Sequence, residues 1–285
     1  MKYISLLKKC KAVAMGLCVA VLCASAMPMQ ASASEMDAIM LQKYYEEQQA
    51  LAEARAIREA EEAQIAASYT MEKKSTSTKR VSNFGYWCYR PTESKDEALP
   101  MIVYLHGTDG KGSNLDTLLK IESLPSYINN GDIYPNAIVI SPQCPSSYNW
   151  TSLADDVMEL INIVVEEENV DISRISLTGC SLGGCGTYNI AIKNPNFFSA
   201  VVPVCGSINA ASCKVLTNVP VKIFHGSLDY GMGFSSVTAA KVIQDNGGNC
   251  ELIMLEGEGH EIRHVYKDEE YDLLNWMISQ QRTDK

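Results

Sequence analysis

Residues 175–183 are the most informative segment of this 285-residue chain and read Ile-Ser-Leu-Thr-Gly-Cys-Ser-Leu-Gly. The apolar pattern predicts a strand over Ile175–Thr178, and a helix is predicted over Gly184–Lys193. A sharp turn between strand and helix needs glycines because neighbouring backbone and side chains crowd each other, and it exposes the serine hydroxyl to a base. The segment therefore predicts Ser181 as a nucleophile, with a glycine-rich turn devoid of chemistry as the alternative.

Strands and helices alternate on both sides of this segment, from Val81 onward. Continuous apolar strands separated by amphipathic helices predict an α/β fold with a mainly parallel sheet and helices on both faces. In such sheets, reactive groups lie in loops at the carboxyl ends of the strands. No insertion between a strand and a helix is long enough for a large lid, which predicts an open site. Further strands are predicted at Val81–Tyr89, Met101–Leu105, Ala137–Ile140, Ala200–Val204, Val221–Phe224 and Glu251–Leu255.

A serine hydroxyl is a weak nucleophile until an adjacent base removes its proton, and four histidines are available. His260 directly follows the last predicted strand within Gly257-Glu-Gly-His260, so it is the best candidate for the base, with His264 in reserve. His106 and His225 each end a strand beside a glycine, which favours a role in shaping turns. The carboxylate that orients the base is predicted to be Asp229, because it follows the strand Val221–Phe224.

The order Ser181, Asp229, His260 is that of the α/β hydrolases. Residues 99–114, Leu-Pro-Met-Ile-Val-Tyr-Leu-His-Gly-Thr-Asp-Gly-Lys-Gly-Ser-Asn, resemble the oxyanion-strand region of that superfamily. Residues 138–145 resemble the next strand and loop of its predicted-peptidase, phospholipase/carboxylesterase and feruloyl-esterase-like branch. The resemblance covers about residues 80–282. It implies a serine esterase fold in which the backbone N–H groups of Thr108 and Leu182 hold the oxyanion.

The chain departs from that family pattern at two places. The acid is often followed by a Val-Pro pair in the family, whereas Asp229 precedes Tyr-Gly-Met-Gly-Phe, so the local loop and substrate pocket are open. Dienelactone hydrolases resemble this layout but carry cysteine where this chain has Ser181. Cys180 and Cys185 are therefore expected to be packing residues.

Two other interpretations compete with the serine hydrolase. His260-Glu-Ile-Arg-His264 matches the H-E-x-x-H zinc motif, but two glycines precede it at the exit of a strand, and the motif requires a helix. It also leaves Ser181 and Asp229 unexplained. A non-catalytic binding protein on a hydrolase fold is the other alternative, although all three candidate residues are present.

The first 80 residues differ in composition from the rest of the chain. Residues 1–33 resemble a secretory signal peptide, with early lysines, a short apolar run and a small-residue cleavage site at Ala31-Ser-Ala33. Residues 34–80 are predicted to be a helical stalk and linker, with partner binding through the stalk as an alternative. Within this range, residues 72–80 are either linker or the edge of the first strand. The catalytic domain is predicted over residues 81–285. Secretion follows from the leader, with cleavage near Ala33 and no stable membrane insertion afterwards.

Charge and cysteine content narrow the function further. A net charge of −10 argues against a nucleic-acid partner. Of ten cysteines, three lie in the predicted leader, and the remaining odd number leaves at least one thiol without an intramolecular partner. Cys205 and Cys213 are close enough in sequence to bridge a loop, although buried thiols are the more common outcome.

The sequence thus predicts a secreted serine hydrolase that cleaves small-molecule or polysaccharide-linked carboxylic esters, with a serine peptidase as the second candidate. The catalytic residues are Ser181, Asp229 and His260, and no cofactor or metal is required. Aromatic and methionine residues in loops are candidates either to line the pocket or to pack, namely Tyr148, Trp150, Tyr230, Met232 and Phe234.

Overall fold

The computed structural model describes residues 33–92 and 97–282, so the predicted signal peptide, apart from Ala33, lies outside the described residues. A single helix, α1, occupies Ala33–Ala67. The side chains of residues 40–60 along it are exposed. In the part of the chain that the structure describes, no helix has both the length and the apolar character needed to cross a bilayer.

A second compact unit begins at Ser68 and contains one eight-stranded sheet of order β1-β2-β4-β3-β5-β6-β7-β8. The pairs β1–β2 and β2–β4 are antiparallel, and all other neighbouring strands are parallel. The predicted α/β class is therefore confirmed. The strands are β1 (Tyr69–Thr76), β2 (Phe84–Pro91), β3 (Leu99–Leu105), β4 (Ile138–Pro142), β5 (Val170–Cys180), β6 (Ala200–Val204), β7 (Val221–Gly226) and β8 (Cys250–Leu255).

Helices follow most of the parallel strands and cover both faces of the sheet. The central strand β3 is buried along its whole length. Met101 and Val103 pack into one apolar cluster and Ile102 and Tyr104 into the other, as the two-residue period of a strand requires. The helices are α2 (Thr117–Lys120), α3 (Leu124–Asn129), α4 (Ala154–Glu167), α5 (Leu182–Lys193), α6 (Gly233–Asp245) and α7 (Leu273–Ser279).

The first strand of the sheet lies before residue 81, where the catalytic domain is predicted to begin. Residues 69–76 form the edge strand β1, which pairs with β2 from Tyr69↔Pro91 to Thr76↔Phe84. The charges that suggested a linker suit an edge strand, where they discourage pairing with another chain. Lys74 also has a partner, since its Nζ lies 2.8 Å from a carboxylate oxygen of Glu168.

Residues 115–128 have the apolar spacing of a single helix, but in the structure this segment contains two helices, α2 and α3. Ser123 has extended backbone and forms a capping box with Ser126, which starts a new helix with Pro125 in its first turn. A proline is favoured at the start of a helix and not in its interior. The segment between the loop after β3 and strand β4 therefore contains two short helices instead of one long helix.

The carboxyl ends of the parallel strands carry only short structures in the described part of the chain. They are the 3₁₀ helices Thr108–Gly110 after β3, Ala210–Val215 after β6 and Arg263–Tyr266 after β8. No large lid is present among these connections. The strand order changes direction at β3, because β4 lies beside it on one side and β5 on the other. Ligands bind beside such a switch point in open α/β sheets.

Candidate active site

Ser181 occupies a strained turn between β5 and α5. Its φ of 58° and ψ of −116° lie where non-glycine residues are uncommon. The turn also requires glycines, because a Cβ at Gly183 would lie 1.8 Å from the carbonyl oxygen of Leu105. A Cβ at Gly179 would lie 2.6 Å from the same oxygen. The sequence pattern therefore folds into the tight elbow that was expected.

The three predicted catalytic side chains form a continuous series of hydrogen bonds. His260 Nε2 lies 2.7 Å from Ser181 Oγ, and His260 Nδ1 lies 2.6 Å from Asp229 Oδ2. Asp229 lies in the loop after β7 and His260 in the loop after β8, which is the neighbouring strand. The arrangement can remove a proton from the serine hydroxyl and hold the resulting imidazolium beside a carboxylate.

The Asp229 carboxyl is held in its ionised form. Burial alone raises its pKa, but hydrogen bonds and charge interactions with His260 and His225 outweigh burial, and the net pKa lies below the usual value of 3.8. An ionised carboxylate accepts hydrogen bonds only, so each histidine donates one N–H to it. In the tautomer that carries its proton on Nδ1, His260 can accept the Ser181 hydroxyl proton at Nε2.

His225 contributes to this site, although the sequence suggested only a role in a turn. Its Nε2 lies 2.9 Å from Asp229 Oδ2, the same oxygen that His260 contacts. Its Nδ1 lies 2.8 Å from Ser236 Oγ in α6. Both His225 and Ser236 are completely buried. The four-residue separation of His225 and Asp229 was the available sequence signal, but it gains meaning only once the turn after β7 is known.

The loop after β3 brings the predicted oxyanion residue Thr108 to the same edge of the sheet as Ser181, because β3 and β5 are paired. A Cβ at Gly107 would lie 3.5 Å from Ser181 Cβ. Leu182 begins α5 and Thr108 begins a 3₁₀ helix. The first N–H groups of a helix have no acceptor within it, so both are able to donate to an anion.

His106 fixes the first residue of that loop, in line with its predicted role in a turn. Its Nδ1 donates to the Gly107 carbonyl at 2.6 Å, and its Nε2 accepts from Cys144 N–H at 2.9 Å. Burial lowers the pKa of His106 to about 4, against weaker opposing effects, so the ring is neutral at pH 7. This protonation state is the one that both hydrogen bonds require.

Arg263 lies between the loop after β3 and the loop that carries His260, and sequence reasoning missed it. Its Nη1 is 2.8 Å from Asp109 Oδ2 and 3.2 Å from the Glu122 carbonyl oxygen. Its Nη2 is 3.3 Å from Glu261 Oε2. The side chain is 8% exposed. In the sequence it occupies a variable position of the H-E-x-x-H pattern, so nothing marked it as structurally important.

The structure does not give the H-E-x-x-H segment the helix that a zinc site needs. Residues 260–262 are irregular, and the 3₁₀ helix begins at Arg263. Both ring nitrogens of His260 are hydrogen bonded to Ser181 and Asp229. His264 instead faces Glu258, with 3.4 Å between its Nε2 and a carboxylate oxygen. His260 is therefore hydrogen bonded within the Ser181 site, and the two histidines do not share the face of a helix that a zinc site of this motif requires.

The two cysteines beside the elbow are not positioned as nucleophiles. Cys180 is completely buried and burial raises its pKa to about 12, which leaves almost no thiolate at pH 7. Cys185 is half-buried, and its Sγ accepts from Ser207 N–H at 3.3 Å. Cys205 and Cys213 are both free and buried, so the possible bridge between them is not formed.

Five loop residues were candidates to line a pocket, and they differ in burial. Met232 is half-buried directly before α6. Trp150 is completely buried and donates to the His106 carbonyl at 2.9 Å, so it is a core residue. Tyr148 packs partly against the same core. In contrast, Tyr230 is 83% exposed and Phe234 is 79% exposed, and both belong to the segment that follows Asp229. An exposed aromatic surface therefore adjoins the candidate site.

Comparison with known proteins gives a consistent assignment of the fold. The family model of the prolyl oligopeptidase family matches residues 149–214, which include Ser181. A bifunctional acetylxylan esterase/xylanase from Neocallimastix patriciarum is 25% identical over 142 residues, 48% of this chain and 20% of that protein. The chain thus spans about a fifth of that curated relative.

Solved structures share the arrangement over most of the chain. A thermostable esterase has a TM-score of 0.63 and 21% identity, with 76% of this chain and 64% of that chain covered. A mutant of the feruloyl esterase module from Clostridium thermocellum, complexed with sinapinate, has a TM-score of 0.60 and 14% identity over 77% of this chain and 92% of that chain. The sheet order, the elbow at Ser181 and these likenesses show that the chain has the α/β-hydrolase fold.

Proposed function

We propose that the chain is a serine hydrolase that cleaves carboxylic esters by acyl transfer. The observation that carries the proposal is the series Ser181 Oγ, His260 Nε2, His260 Nδ1 and Asp229 Oδ2, with separations of 2.7 Å and 2.6 Å. Ser181 is the nucleophile, His260 the general base and Asp229 the group that orients His260. Each lies at the carboxyl end of a parallel strand, where the open α/β sheet places its reactive loops.

In the first half-reaction, Ser181 Oγ attacks the acyl carbon while its proton passes to His260 Nε2. His260 is then an imidazolium whose Nδ1–H remains bound to the Asp229 carboxylate. The tetrahedral intermediate collapses when His260 returns the proton to the leaving alcohol, and the acyl group stays on Ser181. This proton transfer in both directions is the ordinary contribution of a histidine that is hydrogen bonded at both nitrogens.

The backbone N–H groups of Thr108 and Leu182 are proposed to bind the oxyanion. Negative charge develops on the carbonyl oxygen only in the transition state, so fixed donors stabilise that state selectively. The hydrogen bonds of His106 to Gly107 and Cys144 keep the loop that carries Thr108 in place. In the second half-reaction water attacks the acyl-enzyme and His260 acts again as the base. Neither half-reaction calls for a cofactor.

The proposed substrates are small or polysaccharide-linked esters. The acetylxylan esterase relative and the feruloyl esterase structure support this substrate class. The site is open to solvent at His260, whose side chain is 32% exposed, so an ester group carried on a large molecule can reach it. The exposed rings of Tyr230 and Phe234 offer apolar contact surface for an aromatic acyl group or a bulky alcohol.

A serine peptidase is the second candidate, and it rests on the prolyl oligopeptidase family model that matches residues 149–214. The same three side chains are able to cleave an amide, whose leaving amine also takes its proton from His260. The esterase proposal is preferred because the relative and the compared structures are named as esterases.

We also propose that the chain is exported and that it has three parts. Residues 1–33 would be a signal peptide cleaved near Ala33. The helix Ala33–Ala67 would serve as a spacer or partner-binding stalk, and the catalytic domain would begin at β1 rather than at residue 81. Mass spectrometry of the protein recovered from the growth medium of the producing cell tests this, because a mature N-terminus near residue 34 is expected.

The function is tested by labelling the purified chain with a fluorophosphonate probe and assaying it on p-nitrophenyl esters and matched p-nitroanilides. Wild-type protein should be labelled at Ser181, hydrolyse esters faster than anilides and lose both properties in Ser181→Ala. The neighbouring Cys180→Ser variant is the matched control and should keep both. Labelling without turnover of any ester would overturn the esterase assignment, and an unlabelled Ser181 would overturn the serine hydrolase itself.

A further inference from the structure

We propose that His225 is a second, non-reacting histidine that positions Asp229, so that the hydrogen-bonded series that begins at Ser181 continues through His260 and Asp229 to a fourth side chain. This proposal rests on the proposed function, because Asp229 acts there as the partner of His260. The observation that carries it is the contact of both imidazoles with one carboxylate oxygen. Asp229 Oδ2 is 2.6 Å from His260 Nδ1 and 2.9 Å from His225 Nε2.

Asp229 needs such an anchor because of its place in the fold. It lies in an irregular segment between β7 and α6, and its neighbour Tyr230 is 83% exposed. Its backbone takes part in turn hydrogen bonds: Asp229 N–H donates to Gly226 O at 3.2 Å, and Asp229 O accepts from Met232 N–H at 3.2 Å and from Gly233 N–H at 2.9 Å. These bonds fix the turn but not the rotation of the carboxylate. His225 supplies that restraint from the buried end of β7.

The protonation of His225 follows from its partners. Ionised Asp229 accepts only, so His225 Nε2 carries the proton, and its Nδ1 accepts from the Ser236 hydroxyl at 2.8 Å. Burial lowers the pKa of His225 more than the neighbouring Asp229 raises it, which keeps the ring neutral. The ionisable groups around the ring are Asp229, His260 and the Cys205 thiol. Asp229 thus selects the tautomer that donates to it, and the Ser236 hydroxyl, which also lies 3.4 Å from the Gly206 carbonyl oxygen, is the partner of Nδ1.

His225 also sets how strongly Asp229 attracts the proton of His260. A second donor on Oδ2 spreads the negative charge and makes the carboxylate a weaker acceptor toward His260 Nδ1–H. Without His225, protonated His260 would persist to higher pH, and less unprotonated base would face Ser181 in acid. The acid limb of the kcat/KM profile would therefore move to higher pH. A residue with a purely structural role would lower stability without moving that limb.

The test compares three variants. His225→Leu cannot donate to Asp229, His225→Gln keeps an amide N–H donor, and Ser236→Ala removes the hydroxyl that contacts His225 Nδ1. On p-nitrophenyl acetate, His225→Leu should lose about 10- to 100-fold in kcat with KM within about twofold. Its acid limb should rise by about half to one pH unit. Ser236→Ala should change in the same direction by less, His225→Gln should stay within about threefold, and His264→Gln is the matched histidine control.

Proton NMR of the full chain gives a readout that does not need turnover. The downfield signal that His260→Gln removes reports the Nδ1–H bond to Asp229, and it should move in His225→Leu but not in His225→Gln. A fluorophosphonate-inert Ser181 would overturn the proposed function and leave this NMR result to decide the positioning role. The role is overturned if His225→Gln is as impaired as His225→Leu, or if His225→Leu matches wild type. If His225→Leu fails to fold, Ser236→Ala decides: an acid limb of kcat/KM at higher pH than in wild type supports the positioning role, and an unchanged limb overturns it.

Discussion

The guanidinium of Arg263 and the carboxylate of Asp109 approach to 2.8 Å and connect the two loops on either side of Ser181. Asp109 directly follows the proposed oxyanion donor Thr108, and Arg263 lies three residues after His260. The same guanidinium reaches the carbonyl of Glu122. Arg263 is therefore placed to keep the oxyanion loop and the histidine loop at a fixed separation.

Asp109→Asn is expected to lower kcat by about tenfold and to change KM little, because small displacements of reacting groups are costly in rate. Steady-state kinetics on p-nitrophenyl acetate measure the effect. The control is Asp132→Asn. The side chains of Asp132 and Asp109 are equally exposed, at 38%, and Asp132 forms its own ion pair, with 3.2 Å between its Oδ2 and Lys267 Nζ. Equal rates for the two variants would show that the Arg263 pair does not position the loops.

Asp156 is expected to be a large source of stability in the second compact unit. Its side chain is completely buried, and its oxygens accept from Thr78 Oγ1, Arg80 N–H and Arg80 Nη1 at 2.7–2.9 Å. Burial raises its pKa, but these hydrogen bonds dominate and the pKa is lower in the folded protein. Asp156→Asn should cost about 1–3 kcal/mol at pH 7, as measured by urea unfolding.

The sign of the pH dependence follows from that lowered pKa. The stabilisation by Asp156 should be complete above the ordinary aspartate pKa of 3.8 and should be lost as the pH falls through the lower folded value. The stability difference between wild type and Asp156→Asn should therefore shrink below pH 4. Asp155→Asn is the control, because Asp155 is 59% exposed and its contact with Arg80, at 3.5 Å, is longer than the 2.9 Å contact of Asp156. A difference that grows in acid would contradict the assignment.

The fold was predictable from the sequence because its strongest signals are local. The elbow needs glycine at 179 and 183, and a buried parallel strand needs a run of apolar residues such as those before Ser181. The meeting of Ser181, Asp229 and His260 follows from the same logic, since all three end or follow strands of one parallel sheet. Their chemical roles remain predictions.

The missed features depend on contacts between segments that are distant along the chain. Lys73 and Lys74 left residues 72–80 with two interpretations, a linker or an edge strand, because an edge strand tolerates such charges. Arg263 had no visible partner because Asp109 lies in the loop after β3. His225 was interpreted as a turn residue because its contact with Asp229 depends on the geometry of the exit from β7. In each case the polar side chain has a role that only its three-dimensional partner reveals.

Cys180 is expected to resist alkylation in the folded protein despite its place beside Ser181. Burial raises its pKa to about 12, so the reactive thiolate is almost absent at pH 8. Iodoacetamide followed by peptide mass spectrometry should leave Cys180 unmodified in the native state and modify it in urea. Cys185 is the internal comparison, because it is half-buried and should react faster. Rapid native labelling of Cys180 would contradict the buried position.

The neutral state of His106 should make the protein less stable in mild acid. Burial lowers its folded pKa to about 4, whereas an unfolded histidine titrates near 6.5. Between these values the unfolded chain binds the extra proton, so the stability contributed by neutral His106 is present above pH 6.5 and is lost as the pH falls toward 4. His106→Gln, which does not titrate there, should have a flatter dependence of the unfolding free energy on pH over this interval.

Urea unfolding of wild type and His106→Gln from pH 4 to 7 measures the two slopes. His106→Gln should also lower kcat, because Gly107 O loses its donor at 2.6 Å and the loop carrying Thr108 loses its anchor. If His106→Gln and wild type show the same slope, His106 is not neutral in the folded protein, and the hydrogen bond that it accepts from Cys144 N–H cannot be the anchor of the loop.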